Sequence, residues 1–503
     1  MDRKFFLQYT FIGKAMALAA ELMLTACGME MVSDATMVYE MPEIYPDYRG
    51  VTIPVNIAPL DFTMQSDSVL RIDAVFTGTV SGELHAQGDA STMIDPGKWR
   101  ELLRKNQGGS LFVQVAAKFP DGWRTYTPFG IEVSKDSIDY GITYRLIEPG
   151  YEAYTKMGIY ETRLEDSRER ALIENTQFRG CVNCHSYNKC DPRYMSLHIR
   201  GDHGATLICH PGEKGAMKAY NTKTDETLGF CVYPYWHPSG RYIAYSTNNT
   251  RQGFHVGGKK IIEVMDLASD MQVYDVEKNQ LLVCEALKGD SAFETFPSFS
   301  PDGRTLFYCV ARPKNYPTEI KEMYYNLCSV AFDATTGTYG TRIDTLVNGE
   351  ALRKSVAYPR PSYDGRFLCY SMADYGYFHI WHAESDLYLL DLATGESRPM
   401  EEANSADAES VHSWSSNSRW LVFGSRRDDG LYTRPYFCHV AEDGKVGKAF
   451  MLPQRNPRQF YEGRFMSYNI PEFVTAPVPF ESKVAERQIV SDERTAMGVV
   501  RGR

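Results

Sequence analysis

One short run of the chain carries recognisable chemistry. Arg179-Gly180-Cys181-Val182-Asn183-Cys184-His185 contains Cys-x-x-Cys-His, the attachment sequence of a c-type haem. Two thiols three residues apart reach the two vinyl groups of one macrocycle, and the adjacent imidazole then stands under the iron as proximal ligand. With 11 Cys and 11 His in 503 residues, chance supplies roughly 0.005 copies of this pattern, so accident is a poor explanation. The haem reading predicts haem c as cofactor, bonded at Cys181 and Cys184, with iron on His185. Two other chemistries use the same residues. Cys181, Cys184 and Cys190 with His185 or His210 make a four-ligand zinc set. Cys-x-x-Cys alone is a dithiol pair, which normally follows a strand of a thioredoxin-like unit that the sequence does not show.

An electron-transfer haem needs a sixth iron ligand, Met or His, and Met195, His198, His203, His210 and Met217 follow the motif. Strand alternation points Met195, Leu197 and Ile199 one way and Ser196, His198 and Arg200 the other. Met195 then reads as core, and His198 faces the polar side and is the expected distal iron ligand. His203, Met195 and a site without a sixth protein ligand are the alternatives. Elsewhere His237 reads as a turn residue and the pair His379 and His382 as structural. The run Arg426-Arg427-Asp428-Asp429 reads as a solvated loop. There is no Gly-rich phosphate loop, nucleophile elbow or His-Glu-x-x-His helix, so hydrolytic chemistry has no motif behind it.

The compartment is read from the amino terminus. Arg3 and Lys4 precede an interrupted apolar stretch from Phe5 to Ala26 that stops at Leu24-Thr25-Ala26-Cys27. A basic start, an apolar run and small residues before a cysteine describe a secretory signal with a lipobox, residues 1–27, after which Cys27 carries the lipid. Haem attachment in bacteria takes place outside the cytoplasmic membrane, so motif and signal agree on an export compartment, the periplasm or cell surface.

The elements that position the motif are mostly strands. Tyr233-Pro234-Tyr235-Trp236-His237-Pro238-Ser239-Gly240-Arg241 returns as Phe296-Pro297 through Arg304, as Tyr358-Pro359 through Arg366, and more loosely as His412-Ser413-Trp414 through Arg419. Each copy is a tight turn between strands: Pro fixes φ, Asp or Ser bonds its own backbone, and Gly supplies positive φ. Units of this kind bury their faces only against neighbours, which implies a β-propeller of five or six blades across 195–480, with the carboxy-terminal strands around Phe465 to Phe473 as the sixth. Residues 28–150 read as a β-sandwich-like domain interrupted by one helix, capped by Asp95 with Pro96 first and Trp99, Leu102 and Leu103 on one face. Residues 151–194 read as a helical connector holding the haem motif, on the spacing of Leu164, Ala171 and Leu172. Residues 481–503 form a tail. The seven cysteines from Cys209 to Cys438 read as small buried hydrophobes.

Composition excludes several classes. Charged residues are 23%, hydrophobic ones 43% and mean hydropathy is -0.37, so the bulk is neither disordered nor membrane-embedded. A net charge of -10 without a long Lys/Arg run leaves no phosphate-neutralising surface, and nucleic acid drops out as a main partner.

The repeated turn resembles the propeller of the TolB-like family. With the lipobox, the haem motif, Leu197-His198-Ile199-Arg200-Gly201 and Asp428-Asp429-Gly430-Leu431-Tyr432-Thr433-Arg434-Pro435-Tyr436, the chain resembles a group of bacterial lipoproteins described as TolB-like or cytochrome c biosynthesis proteins. The resemblance implies a link to haem proteins. The functional expectation is an envelope lipoprotein, lipid-tethered to a membrane, carrying one haem c for electron transfer, with the propeller docking a redox partner or envelope protein complex. The alternative is a propeller that binds protein or glycan, its haem or zinc site only structural.

Overall fold

The repeated turns separate strands as expected. Between Phe293–Phe299 and Thr305–Ala311, Ser300 Oγ donates to Asp302 at 2.6 Å and accepts from the Thr305 N–H at 3.0 Å. Gly303 takes φ +74°, a conformation open to Gly without steric cost. The structure, a computed structural model, describes residues 32–149, 155–211, 217–254, 262–491 and 493–502. The amino-terminal apolar run and Cys27 lie outside them.

Six blades surround one axis. Blade 1 pairs the late strand Ser467–Val474 with Gly141–Ile147, Gly158–Arg163 and Glu169–Glu174, so distant parts of the chain close the ring within one sheet. The carboxy-terminal strand expected to build a sixth blade thus becomes the innermost strand of the first. Blades 2 to 6 start from inner strands Cys181–Asn188, Cys231–Trp236, Phe293–Phe299, Ser355–Pro361 and Glu409–Trp414. These six inner strands neighbour one another in cyclic order. Late strands Thr495–Ala496 and Gly498–Gly502 lie parallel to the outer strands of blades 2 and 3 and cover edges that would otherwise offer unpaired backbone groups.

Two expectations are corrected. The segment read as a helical connector is strand: Gly158–Arg163 and Glu169–Glu174 precede a single turn of 3-10 helix at Asn175–Gln177, and Cys181–Asn188 follows. Its charges form a cross-strand pair rather than a helix surface, with Arg170 opposite Glu161 and bonding its carboxylate at 2.9 and 3.0 Å. Ala171, counted in the helical stripe, is exposed. The amino-terminal part is one seven-stranded sheet with a separate two-stranded pair, Ile44–Tyr45 and Thr63–Met64, not two facing sheets. No second sheet is needed, because a helix and the propeller supply the covering layers. The helix Pro96–Lys105 is capped by Asp95 as expected and buries Trp99, Leu102 and Leu103. The same core continues into blades 5 and 6 through Phe367, Trp414, Trp420 and Phe437. Among the described residues no helix is long and apolar enough to cross a membrane.

Candidate functional site

Every inner strand carries a bulge, two residues facing one on the next strand. The pairs are Asn183-Cys184, Tyr233-Pro234, Phe296-Pro297, Tyr358-Pro359, Val411-His412 and Ile470-Pro471, read from register shifts at equivalent points. In five blades the first residue of the pair is left-handed, with φ between +43° and +55° at Tyr233, Phe296, Tyr358, Val411 and Ile470. Asn183 does not share that conformation. Strain of this kind costs roughly 1–3 kcal/mol per residue and gathers where a site is built. The Cys-x-x-Cys-His motif is therefore blade 2's version of a feature common to all six. The repeat template missed it because Asn-Cys replaces aromatic-Pro.

Five of the six bulges border one axial cavity of about 390 Å³. Cys181, Cys184 and His185 border it too, with Arg145, Arg200, Arg360 and Glu472, and the rings of Tyr233, Tyr358 and Tyr377. Arg360 pairs with Glu472 at 3.3 Å, and Arg145 Nη1 donates to Asn183 Oδ1 at 2.6 Å. Burial pushes the Glu472 carboxyl up to about 7, against the pull of Arg360.

The motif residues gather at this cavity but are not oriented for one iron. Cys181 pairs with Arg200 and His185 with Leu197, so thiol and imidazole leave opposite faces of the strand. His185 is 1% exposed, its Nε2 lies 2.9 Å from Thr143 Oγ1 in blade 1, and its Nδ1 has no partner. Burial, then the nearby Arg145 charge, lowers the His185 pKa to about 3, so the ring is neutral. One haem joined at both thiols with His185 beneath it does not fit this arrangement unless the strand opens at its bulge.

The expected distal ligand is placed elsewhere. His198 is buried, with Nδ1 3.2 Å from Thr206 Oγ1 and its ring against Phe230, and it is not among the residues bordering the cavity. The alternation itself holds, since Met195, Leu197 and Ile199 share one core. The opposite side is a second buried face, because blades pack on both sides. Besides His185, the imidazole that borders the cavity is His412, whose Nε2 bonds the Cys369 carbonyl at 3.0 Å while Nδ1 has no partner. Only its place in the looser copy of the repeat hints at this in the sequence.

The zinc set does not converge. Cys190 Sγ lies 3.4 Å from the Trp414 carbonyl and 3.6 Å from Tyr363 Oη, in blades 6 and 5, and no metal-holding cluster of His, Cys, Asp or Glu occurs among the described residues. All ten described cysteines are free thiols. Of those read as core, Cys231, Cys284, Cys309, Cys328, Cys369 and Cys438 are buried, while Cys209 is partly exposed. His237 is a turn residue, bonding Ser239 at 2.8 Å and the Gly303 carbonyl at 3.0 Å. His382 is held between Glu263 and Glu384 at 3.1 and 3.0 Å. The charge run is solvated only in part: Asp428 and Asp429 are exposed, but Arg426 is 3% exposed and lies over the Trp381 ring.

No protein-family model matches the chain, and no curated protein matches it in sequence. Among solved structures it is similar to TolB from Acinetobacter baumannii, at 11% identity over 76% of this chain and 85% of that one, with a TM-score of 0.42. It is also similar to an oligogalacturonate lyase in complex with manganese, at 10% identity over 62% and 74% of the two chains, TM-score 0.36. A third is a puromycin-hydrolysing peptidase from Mycobacterium tuberculosis, at 12% identity over 82% and 56%, TM-score 0.35. The six-bladed assignment rests on the sheet pairing of this chain.

Proposed function

We propose that the chain is a binding propeller whose recognition site is the axial cavity. The observation that carries this reading is the convergence of five strand bulges on one chamber of about 390 Å³, within the range of roughly 300–1,000 Å³ typical of small-molecule sites. Aromatic walls with a few convergent polar groups are the usual lining of such sites. His412 is held by a backbone carbonyl and His185 by the Thr143 hydroxyl. A lipid at Cys27 would hold this body at the cell envelope, where it would bind a glycan fragment, a peptide end or a metabolite.

Native mass spectrometry after incubation with a cell-envelope extract tests this reading. The wild-type protein should retain a small molecule, and Val411→Trp, which fills the cavity from one bulge, should not. Equal retention by both proteins contradicts the cavity as the site.

A second reading keeps a covalent haem at Cys181 and Cys184 with His185 toward iron, supported by the shared position of all three side chains at the cavity. A bound haem would supply one-electron chemistry. This reading requires His185 to leave Thr143, and it replaces His198 by His412 as the imidazole within reach of the chamber.

A further inference from the structure

The cavity carries a charge opposite to that of the chain. In a protein of net charge -10, its border holds three guanidinium groups and one carboxylate, and that carboxylate, Glu472, belongs to Arg360. Arg145 is left over. It is 9% exposed, its one hydrogen bond is to the neutral amide of Asn183, its Nε has no partner, and it forms no ion pair with a described residue. The carboxylate nearest in sequence, Glu148, instead accepts from Thr155 at 2.7 Å. Arg200, exposed at the cavity border, likewise forms no ion pair with a described residue. Leaving a buried cation without its counter-charge costs several kcal/mol, and a guanidinium fork matches a carboxylate or phosphate through paired hydrogen bonds.

We infer that Arg145, helped by Arg200, receives an oxyanion, a carboxylate or phosphate group of a small organic ligand whose apolar part lies against Tyr233 and Tyr358. This rests on the cavity being a binding site and adds the chemical class of its ligand. The missing ion-pair partner of Arg145 is then the ligand itself.

Directed alkylation of Cys181 tests it, because this partly exposed thiol borders the same cavity. Iodoacetate and iodoacetamide transfer the same carbon: the thiolate forms an S–C bond and iodide leaves. They differ in one carboxylate, and in the urea-unfolded chain the neutral reagent is the faster. In the folded protein, peptide-resolved mass spectrometry should show iodoacetate ahead at Cys181 by about tenfold, as charge-assisted hydrogen bonds allow. The preference should saturate and be competed by sodium phosphate or acetate at fixed ionic strength, the stronger competitor identifying the oxyanion. Arg145→Gln should return the ratio to that of the unfolded chain. Should that variant not fold, Arg200→Gln should lower the preference in part. A folded wild-type protein that reacts with iodoacetamide but shows no preference for iodoacetate overturns the anion site and leaves the binding cavity standing, as does a preference kept by Arg145→Gln. A Cys181 that reacts with neither reagent overturns both.

Discussion

Cys184 and Pro234 hold the same place in successive blades, the second residue of the inner-strand bulge, opposite His198 and Tyr245 respectively. Four of the other five blades have Pro there, so the position does not need a backbone N–H. Asn183 before it lacks the left-handed conformation of its counterparts, so Cys184→Pro should cost about 1–2 kcal/mol, the cost of moving one bulge residue into that conformation. Ser186→Pro, two residues on and paired with Ser196 in the ladder, should cost about 3 kcal/mol or more. Urea midpoints of the two variants check this, and a Cys184→Pro protein that fails to fold contradicts the equivalence.

Neighbouring blades interlock at their turns. A Cβ on Gly303 would fall 2.1 Å from His237 Nε2, at a φ of +74°. Gly303→Ala should cost about 2–4 kcal/mol, a clash in a packed site added to the left-handed penalty. His237→Ala should recover the steric part in the double variant and leave about 1–2 kcal/mol. Strictly additive single effects in chemical unfolding contradict the contact.

How much of this was legible depends on where each cause lies. Turn chemistry is local, so Pro301-Asp302-Gly303-Arg304 and the Asp95 cap are readable from neighbouring residues. The closing of blade 1 pairs Ile142 with Phe473, and no local pattern encodes a pairing across that separation. Arg170 and Glu161 read as a helix surface because charges on paired strands and charges on a helix face share a composition. Cys181 to His185 read as an isolated motif because the bulge it occupies is recognisable only by register with five other strands. His198 read as facing polar surroundings because alternation fixes the face, while the neighbouring blade decides whether that face is wet.

Burial lowers the pKa of His185, His198 and His412 to about 3. The unfolded chain takes up these protons from about pH 6.5 downward and the folded one does not. Their contribution to stability is thus complete above about pH 6.5 and is lost as pH falls toward 3. Buried carboxyls act in the opposite direction, Glu294 being raised to about 8 and Asp266 to about 7, so the effect is read as a difference between proteins. Between pH 6 and pH 4.5 the wild type should lose about 1.4 kcal/mol per pH unit relative to His198→Gln, one proton's worth. Parallel stability profiles of the two proteins contradict a neutral, buried His198.

The lipid proposed at Cys27 gives a simple fractionation test. Cys27→Ser should move the protein from membranes to the soluble fraction of the envelope. Retention on membranes after a high-salt wash contradicts the lipid anchor.

The central claim is that the axial cavity is an open binding chamber bordered by free thiols. Absorbance of the full chain, produced with a haem-attachment system and recorded before and after dithionite, tests it most directly. The account predicts no Soret band and alkylatable thiols at both Cys181 and Cys184. A Soret band with a sharp α-band on reduction, and loss of both thiols, would contradict it and place a covalent haem where the strand now bonds His185 to Thr143.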